Sequence, residues 1–115
     1  MSEKEIMDSI RAELSRNDVR LFRNNVGLGF TANGLPINFG LQKGSGDLIG
    51  WVRVIKNDQV YAVFLSVEVK TPRGKLSQEQ KDWMDYVNKV GGIAIVATSP
   101  EEARKKLNEK LLTYE

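Results

Sequence analysis

Asp47, which follows Gly44-Ser45-Gly46, and the triplet Glu68-Val69-Lys70 are the residues of this sequence whose types and spacing can do chemistry together. Two carboxylates on adjacent strands can hold a hard divalent cation, Mg2+ or Mn2+, that also accepts phosphate oxygens as ligands. A lysine beside them can orient or help deprotonate a water and offset charge building on phosphorus. The composition removes the competing chemistries. With no cysteine there is no thiolate zinc site, disulfide or thiol nucleophile, and with no histidine the usual general base is missing. Carboxylates, lysine, hydroxyls and an oxygen-bound cation are what remain.

For these residues to meet, the chain must pair two strands. Asp47 to Ile55 reads as one strand, Val60 to Lys70 as the next, and Asn57-Asp58 supplies a turn between them. A tight turn there pairs residues whose numbers sum to about 115, which sets Asp47 opposite Glu68. In the second strand Tyr61, Val63, Leu65, Val67 and Val69 share one face, and Ala62, Phe64, Ser66, Glu68 and Lys70 share the other. Glu68 and Lys70 are thus neighbours roughly 6–7 Å apart along the strand, on a face where Ala62 and Phe64 are expected to be buried. Taken alone, Glu-x-Lys reads equally well as an ordinary ion pair. The register with a glycine-flanked aspartate separates the two readings.

Other elements frame this hairpin. Ile6, Ile10 and Leu14 recur every fourth residue and predict a helix from about Glu3 to Ser15. Val19 to Arg23 alternates apolar and basic residues as a short strand. Between them and Asp47 lies a glycine-rich excursion, Val26 to Gly40, in which Asn33-Gly34 has the composition of a type I′ turn. Ser77 opens a helix with Trp83, Met84 and Val87 on its buried side, and Gly91-Gly92 ends it. Ile93 to Ala97 suits a strand covered on both faces, and Ser99-Pro100 starts a helix running to about Leu112. The expected fold is α/β, a mixed sheet flanked by helices in the order α-β-β-β-α-β-α, and residues 1–115 read as one domain. Trp51 and Trp83 read as core or interface residues rather than a base-stacking platform. A charged start and no long apolar run point to a cytoplasmic protein without a membrane span. The net charge of +2 says little by itself about nucleic acid.

Four segments in order, Gly46-Asp47-Leu48-Ile49-Gly50, Ser66-Val67-Glu68-Val69-Lys70-Thr71-Pro72, Leu76-Ser77-Gln78-Glu79-Gln80-Lys81-Asp82-Trp83 and Gly91-Gly92-Ile93-Ala94-Ile95-Val96, resemble the virus-type replication-repair nuclease family, VRR-NUC, a branch of the PD-(D/E)xK superfamily with a restriction-endonuclease-like core. The likeness runs from the first helix to about Ala97. It departs at Gly46, where the superfamily name implies proline. The resemblance implies metal binding by Asp47, Glu68 and the carbonyl of Val69, with Lys70 positioning the attacking water. It implies a further acid on the first helix, for which Glu5 is chosen, with Glu3 and Glu13 as alternatives and simple solvation of a helix face as the other reading. It also turns Gln80 towards the site, although Ser77-x-x-Gln80 is equally a capping box.

Arg23 and Asn24 match a polar, basic position near the scissile phosphate, and otherwise read as a solvated strand end. Lys43, Ser45, Arg73 and Lys75 lie on glycine-containing loops beside the acidic centre, where they can meet DNA backbone. The function implied is a metal-dependent, structure-selective DNA endonuclease that uses metal-activated water. A Holliday-junction resolvase of phage type, acting as a homodimer on a branched four-way junction, is the expected form. A flap or restriction-like nuclease and a non-catalytic DNA-binding module of the same fold are the alternatives.

Overall fold

Apolar residues at helical spacing need one face to cover, and the first helix, α1 (Glu3–Leu14), buries Ile6, Ile10 and Leu14. The computed structural model of the protein, which describes residues 1–16 and 18–114, continues with β1 (Val19–Arg23), β2 (Gly27–Phe30), β3 (Pro36–Phe39), β4 (Leu48–Lys56) and β5 (Gln59–Val69). It ends with α2 (Gln78–Lys89), β6 (Ile93–Ala97), α3 (Pro100–Leu111) and a 3-10 turn at Leu112–Tyr114.

The main sheet has the order β1-β4-β5-β6. β1–β4 and β4–β5 are antiparallel and β5–β6 is parallel, so the sheet is mixed. The helix α2 is the crossover that a parallel pair requires. Leu48, Val52, Leu65, Val67, Val69, Ile93 and Ile95 form one sheet face and join Ile10, Leu14, Ala103 and Leu107 of α1 and α3 in one core. Each fully buried leucine or isoleucine there contributes about 1.5–3 kcal/mol. The Ile93–Ala97 strand is covered on both faces, as its unbroken apolar run predicts.

A two-residue turn at Asn57 and Asp58, both with positive φ (52° and 65°), closes β4 onto β5. It sets the register Leu48↔Val67 through Lys56↔Gln59, the pairing that the sequence predicts. The excursion between β1 and β4 is a separate two-stranded ribbon of β2 and β3. Its turn differs from expectation. Asn33 does not take positive φ, and only Gly34 does (82°). Thr31 accepts the Gly34 N–H and its hydroxyl accepts the Leu35 N–H, making a five-residue loop in place of a type I′ pair.

A second difference concerns the other face of β5. Ser66 and Glu68 are buried, but Phe64 is 38 % exposed and Ala62 is exposed as well. Pairing with β6 begins only at Leu65, so the first half of β5 runs beyond the part that β6 and α2 cover. Phe64 meets Trp83 in an edge-on contact, with ring centroids 6.3 Å apart.

Candidate active site

The end of the β4–β5 hairpin is built from tight backbone contacts. Gly46 lies so close to Ser66 that a Cβ there would overlap the Ser66 hydroxyl and crowd the Val67 backbone. No proline or alanine fits, which accounts for glycine at this position. The Ser66 hydroxyl is itself held, because Trp83 Nε1 of α2 donates to it at 2.9 Å. Gly44, with φ of 90°, packs its backbone against Glu79 in the first turn of α2, where a side chain has no room. The loop carrying Asp47 is therefore clamped between β5 and α2.

Asn24 clamps it from the third side. Its Nδ2 donates to Ser45 Oγ and to the Gly46 carbonyl, both at 2.8 Å, and its Oδ1 accepts from Leu41 N. The Asn24 backbone N–H donates to the Asp47 carbonyl at 2.8 Å. Ser45, 7 % exposed, donates its hydroxyl to Gln42 O. Asn24 and Ser45 were expected to meet DNA; the structure spends both side chains on bracing this loop. Arg23, Lys43, Arg73 and Lys75 are exposed. Lys43 also lies 3.6 Å from Glu79 in a surface ion pair, a contact that contributes little.

With the loop fixed, Asp47 Oδ2 accepts the Val69 N–H at 2.8 Å. Lys70 N donates to Ala97 O on the β6 side, so strand alternation turns the Val69 amide and carbonyl to the Asp47 side. Glu68 is 3 % exposed and shares a hydrogen bond with Asp47. Burial first, then that hydrogen bond and the Asp47 charge, push the Glu68 carboxyl from the ordinary 4.5 up to about 9, while Lys70 pulls it back. A buried carboxyl pressed against a second, half-buried carboxylate holds a proton unless a cation replaces it. With the Val69 carbonyl on the same side, the donor set is all hard oxygen and fits Mg2+ or Mn2+. Lys70 is half-buried, its stem resting near Gly74.

The structure does not bring Glu5 to this pair. Its carboxylate accepts from Ser2 N and Ser2 Oγ in a capping box, which holds its pKa below the ordinary value. The Ser2-x-x-Glu5 spacing carried that signal in the sequence. Glu3, one of the two alternatives, is an acid of this helix whose charge reaches Glu68 and adds to the upward push. Glu13, the other, pairs with Arg16 and Arg104 instead. Among the described residues no group of three acidic, histidine or cysteine side chains is close enough to cage an ion. Gln80 adopts its capping role, its Oε1 accepting from Ser77 N at 2.8 Å. Sequence reasoning missed the Ser66–Trp83 bond, although a half-buried indole N–H needs an acceptor. Trp51 is 44 % exposed and lies 5.6 Å from the Phe22 ring centroid. No described helix is long and apolar enough to cross a membrane.

Comparison with known proteins agrees with the fold. The family model described as the VRR-NUC domain matches residues 37–101. A solved structure described as a VRR_NUC domain protein superposes with a TM-score of 0.62, covering 99 % of this chain and 90 % of that one. The two are 15 % identical, so this likeness is one of fold. No curated relative matches the chain.

Proposed function

Since the chain belongs to the VRR-NUC domain family, a family of nuclease domains, we propose that it is a metal-dependent, structure-selective DNA endonuclease whose substrate is a four-way Holliday junction cut by a homodimer. The observation that carries this reading is the pairing of half-buried Asp47 with buried Glu68, with Glu68 pushed up to about 9 and Lys70 just past the end of its strand. A carboxylate pair so placed costs stability in a protein that only binds DNA, because binding phosphate needs no buried anions.

Asp47, Glu68 and the Val69 carbonyl would hold the cation. When bound, such an ion supplies a Lewis acid for the phosphate and makes water more acidic. Lys70 positions the attacking water and faces the charge that gathers on phosphorus. In-line attack breaks the bond from phosphorus to the 3′ oxygen, leaving a 5′-phosphate and a 3′-hydroxyl. Glu3 is the first-helix acid whose charge reaches the pair, raising Glu68 and attracting the cation from a distance. Arg23, Arg73 and Lys75 are the exposed cations that meet the backbone of a branched substrate.

The test compares a labelled four-way junction with linear duplex and a flap, in Mg2+, Mn2+ or chelator, for the wild type and Lys70→Ala. Metal-dependent paired nicks on the junction, lost in the variant, are expected. A preference for the flap or the linear duplex overturns the junction assignment, and binding without cleavage in any metal overturns the enzyme assignment.

A further inference from the structure

A sheet has two faces, and the helices of this fold cover only part of the second. Val19, Leu21 and Val52 point into the core, so alternation turns Arg20 and Phe22 of β1, Trp51 and Arg53 of β4, and Phe64 of β5 to the other side. On that side α2 packs against β6 and the later part of β5 and leaves β1 and β4 open. Phe22 is 48 % exposed, Trp51 44 % and Phe64 38 %. The sequence alone reads Trp51 as a core or interface residue, whereas the structure sets it in the middle of an open aromatic band. The register explains the band. Arg53 N donates to Asp18 O just before β1, so Arg53, and by alternation Trp51, turn their backbone groups towards β1 and away from β5. Trp51↔Phe64 is therefore a non-bonded pair, the kind whose side chains stand closest, with Cβ atoms about 4.5–5.5 Å apart. On its other side the Trp51 ring lies 5.6 Å from that of Phe22, and Phe64 meets Trp83 at 6.3 Å. The rings thus cross three strands and reach α2, spanning about 10 Å between β1 and β5.

The charge on this face narrows what can cover it. Arg20 stands opposite Trp51, and Arg53 is two residues further along β4, both exposed. By the same alternation β1, β4 and β5 put no acid on this side before Glu68. Rings lying between cations are complementary to a strand that carries bases and phosphates together. A buried protein interface would have to desolvate both guanidinium groups with no carboxylate on this face to meet them. Paired bases hide their faces in the duplex stack, so a ring stacks only on a base that is unpaired. An open sheet face whose aromatic rings stack two or three bases is an established way to hold a single strand. Asp47 and Glu68 lie on this same face. Asp47 to Trp51 and Phe64 to Glu68 are each four residues, about 13–14 Å along their strands and about four base rises at 3.4 Å.

We propose that the aromatic band across β1, β4 and β5 is a docking surface for unpaired nucleobases, holding a single-stranded segment of DNA within about four nucleotides of the Asp47–Glu68 pair. Two or three bases stack on Phe22, Trp51 and Phe64, while Arg20 and Arg53 face their phosphates. Such bases open at the branch point of a junction or run free in a flap. The inference rests on the nuclease reading for the purpose of holding a single strand there, while its test involves neither cleavage nor metal.

Binding is measured in chelator with an oligothymidylate of about eight nucleotides and with an abasic strand of the same length and charge. The chain has two tryptophans, so Trp83→Phe leaves Trp51 as the reporter. Its fluorescence is expected to be quenched by the thymidylate and unchanged by the abasic strand. Trp51→Ala is expected to weaken thymidylate binding about tenfold, to leave abasic binding as it is and to keep the melting temperature, and Trp51→Phe to recover most of the loss. Arg53→Ala is expected to weaken both strands alike and to lower the salt slope by about 0.7. Lys70→Ala, which removes cleavage under the nuclease reading, is expected to bind thymidylate as the wild type does, so failure of that reading leaves this one standing. Equal affinity of the wild type for the two strands overturns the proposal, as does a Trp51→Ala loss that is the same for both, because the surface then reads charge alone. A duplex that quenches Trp51 as strongly as the single strand overturns it too. If Trp83→Phe does not fold, the ratio of the two affinities in Trp51→Ala decides alone. A Trp51→Ala variant that dissociates an oligomer in sedimentation and leaves thymidylate affinity unchanged makes the face a protein interface and overturns the assignment.

Discussion

Asp47 and Glu68 stand at the open end of one hairpin, sharing a hydrogen bond, with Asp47 Oδ2 anchored on the Val69 amide. A cation binding there must displace the proton that the pair retains up to about pH 9. Affinity for Mn2+ should therefore rise about tenfold per pH unit between roughly pH 6 and 8, with about one proton released per ion. Calorimetric titration in two buffers of different ionisation enthalpy measures both quantities. Binding that is flat with pH and releases no proton rules out the retained proton.

The same pair sets the stability of the metal-free protein. Between the ordinary 4.5 and about 9 the folded chain holds a proton on Glu68 that the unfolded chain has lost. Stability from this group therefore falls as pH rises through that window, and its full cost is present above it. Glu68→Gln keeps the shape and removes the titration. In chelator the variant should melt close to the wild type near pH 5 and above it near pH 8.5. Equal melting temperatures at both ends contradict the linkage.

Gly46→Ala tests the backbone contact beneath the pair. The added Cβ overlaps the Ser66 hydroxyl, which Trp83 holds in place, and crowds the Val67 backbone as well. A loss of about 1–3 kcal/mol is expected, the usual range for overpacking, together with weaker metal binding as Asp47 moves. Adding Ser66→Gly opens the space and should recover part of the loss, although Trp83 then loses its acceptor. A double-mutant cycle reads the coupling. Strict additivity of the two changes excludes the contact as the cause.

Strand register and the carboxylate pair were legible in the sequence because period-two alternation and a two-residue turn leave no freedom: Asn57-Asp58 makes the numbers of paired residues sum to 115, as Leu48↔Val67 does. Side-chain roles were less legible where one residue type serves two purposes. Glu5 and Gln80 each sit at the third position of a helix whose first cap is serine, and the short reach to that serine wins over a longer reach to the site. Asn24 is polar at a strand end, as a phosphate contact would be, but the glycine loop leaves backbone groups that only its amide satisfies. Phe64 reads as buried in the sequence and is exposed in the structure, because burial along β5 depends on where β6 stops, and a strand's own pattern does not contain that.

Asn24 and Arg23 are adjacent and should fail differently. Asn24→Ala removes its side-chain bonds to Ser45, Gly46 and Leu41. A stability loss of about 1–3 kcal/mol is expected, with weaker metal binding and little change in the salt dependence of DNA affinity. Arg23→Ala removes an exposed charge with no such bonds. It should leave the melting temperature alone and lower the slope of log affinity against log salt by about one. Exchange of these two signatures reverses the assignments.

The two acids at the start of α1 can be separated in the same way. Glu5 caps the helix, so Glu5→Gln should lower the melting temperature slightly and leave metal affinity unchanged. Glu3 adds to the upward push on Glu68, so Glu3→Gln should move the pH profile of metal binding to lower pH. Its carboxylate also attracts the ion at a distance, an effect that weakens binding at every pH. The midpoint of the profile isolates the first effect and the high-pH plateau isolates the second. A midpoint that shifts with Glu5→Gln and stays fixed with Glu3→Gln makes Glu5 the partner of the pair.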